Sequence, residues 1–224
     1  ESYLQDDHKV FEAGSLYKLW VMAVVYQQIE KGQLKESQIL SQSIPILNNK
    51  FSIDPDSAEQ TTGTISLTVK HALNQMITIS HNYAALLLTE KVGLSSIDVF
   101  LKQNKFTEST VGTTRDVPMT TSSNVALFLE KLYKGELVSQ DSSQKMLEFL
   151  KKQTLNDKLP KNLPIETVIA HKTGELGWFS HDAGIVFSDK GDYVIVVLSE
   201  SDSPKGAEER IAQLSKDVYD YIVK

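Results

Sequence analysis

Residues 165–176 read IETVIAHKTGEL, and the change of pattern inside this stretch decides the fold. The apolar run Ile165 to Ala170 continues to Lys172 as a strand, and Gly174 turns the chain toward a second strand-like run. Lys172 and Thr173 then place an ammonium and a hydroxyl at the end of that strand, a pair suited to holding a carboxylate. Two further β-like runs follow, Ala183 to Phe187 and Tyr193 to Leu198, and Asp189-Lys-Gly-Asp192 between them is a hairpin turn. Ala207 to Ile222 closes the chain as a helix with Ile211, Leu214, Val218 and Ile222 on one stripe.

Upstream the period is helical. Leu16 to Tyr26 is apolar on nearly every side, which predicts a helix inside a domain and not on its surface. Thr68 is an N-cap before Val69, Ala72, Leu73, Met76 and Ile77, and Ser80 falls where that helix ends. A helix from Tyr83 to Val92 stops at Gly93, and Ser95 caps another carrying Ile97, Phe100 and Leu101. Periodicity vanishes from Thr107 to Thr121, a loop in which Arg115 and Asp116 act as stabilisers. It returns from Val125 to Tyr133 and around Met146 to Leu150. Tyr3-Leu4 and Val10-Phe11 mark a first strand region. The predicted fold is α/β (α+β): an antiparallel sheet flanked by helices, built from 1–14 and 162–224, with a mostly helical subdomain over 15–161 and a cleft between them.

Composition narrows the function. The chain has 224 residues, 41% hydrophobic and 23% charged, enough for a sizeable core. It has no cysteine, which excludes disulfides, thiolate metal sites and a cysteine nucleophile. A net charge of −6 with dispersed basic residues disfavours nucleic acid as a partner. No stretch reaches the length of a membrane span, and no signal-peptide pattern opens the sequence, so any export signal is expected to lie outside it. His71, His81, His171 and His181 lack the spacing and carboxylate partners of a zinc helix, so neither a metal nor another cofactor is expected.

Three short motifs occur in order: Ser15-Leu-Tyr-Lys18, Ser80-His-Asn82 and Lys172-Thr-Gly174. Each is common by chance. Ser142 with Lys145 repeats the first on a helix face expected to be solvated, and Ser122-Ser-Asn124 repeats the second at a helix start. Ser15 and Lys18, by contrast, open the buried helix, and Ser80 to Asn82 lies between two helices. In this order and at these boundaries the three describe a serine acyl-transfer site.

The resemblance extends past the motifs. Ala13-Gly-Ser-Leu-Tyr-Lys18, Thr68-Val-Lys-His-Ala-Leu-Asn-Gln-Met76, Ile79-Ser-His-Asn-Tyr-Ala84, Thr120-Thr121, Leu163-Pro164, Ala170-His-Lys-Thr-Gly174 and His181-Asp-Ala-Gly-Ile-Val186 resemble segments of the serine β-lactamase and penicillin-binding superfamily, most of all class A β-lactamases. The resemblance implies Ser15 as nucleophile, Lys18 as its base and Ser80 as the proton relay to the leaving nitrogen. Asn82 would bind the substrate amide and orient Lys18, while Lys172, Thr173 and Gly174 belong to the strand that grips the substrate carboxylate. The backbone N–H groups of Ser15 and Glu175 would form the oxyanion hole. A β-lactam or an acyl-D-Ala-D-Ala-like molecule would be the substrate, the protein a monomer and its location extracytoplasmic. For Lys18 to act as a base its pKa must fall, through burial, the helix start and nearby Lys172.

The chain also departs from the pattern. Class A enzymes carry a loop glutamate that activates the deacylating water. Here the loop is short, its one glutamate, Glu108, sits close to the preceding helix, and Glu166 lies beside the third motif's strand. Glu175 stands where small residues are common, and either Glu175 or Glu108 could substitute as base. His81 replaces a structural aspartate. Family members normally have a helix and strand before the segment Tyr3 to Phe11, so the sheet is expected to be one strand short. Trp178 either lines the cleft rim or packs in the core. Without a deacylation base the same site would behave as a DD-peptidase or penicillin-binding protein, or as a non-hydrolytic sensor that is merely acylated.

Overall fold

A computed structural model describes residues 2–112 and 116–224. In chain order the elements are β1 (Phe11–Glu12), a 3-10 turn (Gly14–Tyr17), α1 (Lys18–Glu30), β2 (Ile39–Ser43), α2 (Ile44–Lys50), β3 (Thr64–Thr68), α3 (Val69–Thr78), α4 (Asn82–Val92) and α5 (Leu94–Gln103). After a loop come β4 (Met119–Thr120), α6 (Ser122–Tyr133), α7 (Gln140–Leu150), β5 (Val168–Leu176), β6 (Phe179–Phe187), β7 (Tyr193–Glu200) and α8 (Pro204–Val223). The architecture is α+β with antiparallel sheets, as expected.

The main sheet has the order β5-β6-β7, every pair antiparallel. Its two faces bury different clusters. Ala170, Ala183 and Ile185 face the large core around α1, whereas Ile169, Val186 and Ile195 pack with Leu159 and with Ile211 of α8. Adjacent residues of β5 and β6 thus point to two covered sides, which makes the strands nearly continuously buried. Within the core, α1 is buried without interruption from Lys18 to Tyr26, and Trp20 packs on Phe106 and Phe128 with ring centroids 5.8 and 5.1 Å away.

Local signals placed several boundaries. Thr68 caps α3 by accepting from the His71 N–H, and Gly93, at φ +81°, closes α4. Other boundaries differ from the sequence reading. α5 begins at Leu94 with Gly93 as its cap, so Ser95 lies inside the helix. Ile165 is fully exposed, because Thr167 N–H bonds back to Pro164 and this turn delays β5 until Val168. Only Phe11–Glu12 of the first strand region pairs, with Met119–Thr120 at the end of the loop. Tyr3-Leu4 is exposed and forms no strand. Residues 39–68 supply β2, α2 and β3, with β2 and β3 paired antiparallel across the intervening helix and loop. Arg115 lies outside the described residues.

Candidate active site

Ser15 sits on the 3-10 turn, and α1 proper begins at Lys18, so the first motif spans a change of helix type and not one α-helical turn. The turn is pressed against β5. Gly14 has φ +49°, and a Cβ there would lie 2.9 Å from the Glu175 backbone nitrogen. A Cβ on Gly174 would lie 2.9 Å from the Ala13 carbonyl and 3.0 Å from Leu16. Both glycines are required for this approach, which brings the start of the turn beside the Glu175 amide.

Lys18 is fully buried, and its Nζ donates to the Ser80 carbonyl at 2.5 Å, Ser80 Oγ at 3.1 Å and Asn82 Oδ1 at 2.7 Å. Ser15 is not among its partners. Lys172, also buried, donates to the same Ser80 Oγ at 2.9 Å and to the Thr173 carbonyl at 2.8 Å. Ser80 holds this bridging position with φ +57°, an uncommon conformation for a residue with a side chain. The structure therefore brings Lys18, Ser80, Asn82 and Lys172 together, with Thr173 buried beside them.

Charge follows from burial. Desolvation lowers the Lys18 pKa to about 7, and Glu59 partly opposes it. Lys172 is also held well below the usual lysine range, first by burial and then by the nearby Lys18. Of the expected causes it is burial that lowers the Lys18 pKa, and not the helix start or Lys172, while the Glu59 carboxylate raises it.

Neighbouring side chains support this cluster. His81 caps α4 by accepting from the Ala84 N–H at 3.2 Å, so it serves the helix start as a short polar cap does. His181 bonds the Glu12 carbonyl through Nε2 and accepts from Ser199 N–H at Nδ1, which fixes one neutral tautomer, and burial lowers its pKa. His171 lies between Asp182 and Asn156, with Asp182 also accepting from the Leu159 N–H.

Both substitute-base candidates have other partners. Glu108 bonds His8, Thr121 and Asn124, and its pKa is lowered, chiefly by the His8 hydrogen bond. The Glu175 carboxylate pairs with Lys158, an ammonium only 2% exposed. Ser142 is buried, not solvated as expected: its Oγ donates to Glu30 at 2.6 Å because α7 packs that face against α1, while Lys145 pairs with Asp141 at the surface. Asn124 of the second Ser-x-Asn copy is a core residue of α6 bonded to the loop at Glu108 and Ser109. Trp178 is 63% exposed on the turn between β5 and β6, which removes the core alternative.

A family model described as the beta-lactamase enzyme family matches residues 1–222. The chain belongs to the beta-lactamase enzyme family. Beta-lactamase VEB-1 of Pseudomonas aeruginosa is 25% identical over 235 residues, covering 94% of this chain and 78% of VEB-1. A β-lactamase from Sphaerobacter thermophilus DSM 20745 shares the fold at TM-score 0.85 and 22% identity, covering 96% of this chain and 85% of that one. A leucine-to-glutamate variant of PBP-A, solved as an acyl-enzyme complex with penicillin G, shares it at TM-score 0.83 and 23% identity, covering 97% and 83%. The fold is shared with PBP-A as well as with β-lactamases. Among the described residues, no helix is long and apolar enough to cross a membrane.

The sequence reading missed two residues of this site. They are Lys158, which pairs with Glu175, and Glu59, which bonds Asn82. Both reach the cluster from irregular segments whose neighbours carry no period. An isolated buried lysine 14 residues before Lys172 has no local signature.

Proposed function

We propose that this chain is a serine β-lactamase-like hydrolase that opens β-lactams through an acyl-Ser15 intermediate. The observation that carries the reading is the shared Ser80 Oγ, 3.1 Å from Lys18 Nζ and 2.9 Å from Lys172 Nζ, beside a turn whose Gly14 touches the Glu175 amide. Neutral Lys18 takes the Ser15 proton as Oγ bonds to the lactam carbonyl carbon. The backbone N–H groups of Ser15 and Glu175 stabilise the oxyanion. When the C–N bond breaks, the nitrogen receives a proton through Ser80, replenished from Lys18, and the acyl group stays on Ser15 as an ester. Lys172 and Thr173 hold the substrate carboxylate, and Asn82 its amide. Water then attacks the ester, releasing the ring-opened acid and restoring the serine.

One observation favours a second reading. Glu108 is held by His8, Thr121 and Asn124, and Glu175 by Lys158, so neither carboxylate is free to activate that water. Deacylation is then slow, as in a penicillin-binding protein. Extracytoplasmic location accompanies either reading, since β-lactams and cell-wall peptides are met outside the cytoplasm. Incubation with benzylpenicillin and, separately, with an acyl-D-Ala-D-Ala peptide distinguishes them. Ring-opened penicillin in excess of one equivalent supports the hydrolase; D-alanine release without penicillin turnover supports the peptidase.

A further inference from the structure

One irregular segment, residues 153–159, is fastened to both halves of the candidate active site. At its start Gln153 Nε2 donates to the Ile77 carbonyl at 2.8 Å, and the N–H and Oγ1 of Thr154 each donate to the Thr78 carbonyl at 3.0 Å. Ile77 and Thr78 end α3, just before the turn in which Ser80 holds its positive φ. At the far end Lys158 pairs with the Glu175 carboxylate, Leu159 N–H donates to Asp182 Oδ2 at 3.0 Å and the Leu159 carbonyl accepts from Ser215 Oγ at 2.8 Å. Between these ends stands His171, a residue the proposed reaction does not use. Its Nδ1 lies 3.0 Å from Asp182 Oδ1 and its Nε2 3.1 Å from Asn156 Oδ1. The imidazole is buried, and so is Asp182. Space is cleared for it across the β5–β6 pair, where Gly184 is its partner and a Cβ would lie 2.7 Å from the His171 Cβ.

We infer that His171 is a positioning residue for the proposed acyl transfer: by joining Asp182 of β6 to Asn156, it fixes segment 153–159 so that the Ser80 turn and the Glu175 strand keep one spacing across the cleft. The inference rests on the acyl-Ser15 reading, in which Ser80 passes a proton and the Glu175 N–H stabilises the oxyanion. His171, Thr173 and Glu175 alternate onto one face of β5, so the segment clasped by His171 lies along the face that carries all three. An irregular segment has no backbone ladder of its own, and the groups that hold it set its place. Lys158 alone is a weaker fastening, because the Glu175 side chain it reaches is 62% exposed and screened by water. The direct link from Lys172 to Ser80 is a long flexible side chain that follows the backbone on either side. With the middle fastening gone the two ends shift separately, and a misplacement of about 1 Å costs up to about 100-fold in rate.

Asn156 is exposed, so its substitution spares the core. Single-turnover acylation by benzylpenicillin, followed by intact-protein mass over a range of concentrations, separates the first-order rate constant from the non-covalent dissociation constant. Asn156→Ala should lower the rate constant about tenfold and leave the dissociation constant within about twofold, with one adduct still formed per chain. Asn156→Asp keeps an oxygen beside His171 Nε2 and should restore the rate constant to within about threefold. His171→Gln should lose at least as much as Asn156→Ala. A fall only in the number of chains that acylate, with the rate constant unchanged in those that do, would overturn the positioning role and leave the acyl-Ser15 reading standing. Asn156→Asp as slow as Asn156→Ala would also overturn it. No adduct and no product on the natural chain would overturn that reading and this inference with it.

Discussion

Lys18 and Lys172 share one acceptor, the Ser80 hydroxyl oxygen, which lies 3.1 Å from one Nζ and 2.9 Å from the other. Two buried ammonium groups around one oxygen repel each other, and burial already disfavours both charges. The relation makes one neutral lysine the expected resting state near neutral pH. In the proposed reaction Lys18, held at about 7, is the base. Acylation should therefore rise with pH along a limb with its midpoint near 7, because the neutral form accumulates above that value. Stopped-flow or mass-based acylation rates from pH 5.5 to 8.5 check this. A flat profile would remove Lys18 from the proton transfer.

Stability carries the same signature. The folded Lys18 pKa is lowered from 10.5 to about 7, so between those values the unfolded chain binds the extra proton. Burial of this lysine therefore costs stability at low pH, and the cost is relieved as pH rises through the window. Relative to Lys18→Met, the natural chain should gain stability from pH 7 toward 10 with a slope of up to about 1.4 kcal/mol per pH unit. Urea unfolding of both proteins across that range measures it, and parallel slopes would contradict the assigned shift.

Gly14 tests the contact between the turn and the strand. A Cβ there meets the Glu175 nitrogen at 2.9 Å, at a φ of +49°. Gly14→Ala should lower stability by about 1–3 kcal/mol and acylation by at least about 100-fold, since the Ser15 and Glu175 amides are pushed apart. Gly177→Ala is the matched control: its φ is +54°, but a Cβ there meets open space. It should lose about 1 kcal/mol and keep acylation. Equal losses of acylation in the two variants would show that the approach of turn to strand is irrelevant.

Glu108 should matter for structure and not for turnover. Its carboxylate ties His8 to Thr121 and Asn124, joining the first segment of the chain to the loop before β4. Glu108→Gln is expected to lower the melting temperature while leaving the rate of acyl-enzyme loss within about threefold. A large slowing of that rate in a folded variant would identify Glu108 as the deacylation base after all.

The motifs were readable because each sits where local rules are strong. Thr68 announces α3, the all-round apolar character of residues 19–26 announces a buried helix, and the turn at 189–192 separates β6 from β7. The resemblance then joined three weak motifs into one site. What stayed hidden depends on long-range packing. β1 and β4 are two residues each and exist only through their mutual pairing, 109 residues apart at Phe11 and Thr120. Ile165 looked like strand and is turned outward by the Pro164 turn. Ser142 has a polar neighbourhood in the sequence, and the packing of α7 brings it against Glu30. Lys158 and Glu59 are ordinary charged residues in irregular sequence, and only the folded chain sets one on Glu175 and the other on Asn82.

The central claim is that Ser15 is acylated by a β-lactam. Intact-protein mass followed over time with excess benzylpenicillin, alongside an assay of ring-opened product, tests it most directly when the natural chain is compared with Ser15→Ala. The account predicts a gain of one penicillin mass on the natural chain, or product formation, and neither on Ser15→Ala. A long-lived adduct with little product would locate the slow step at deacylation, while rapid product would place an active base at the site. Labelling that persists on folded Ser15→Ala, or neither adduct nor product on the natural chain, would contradict the account.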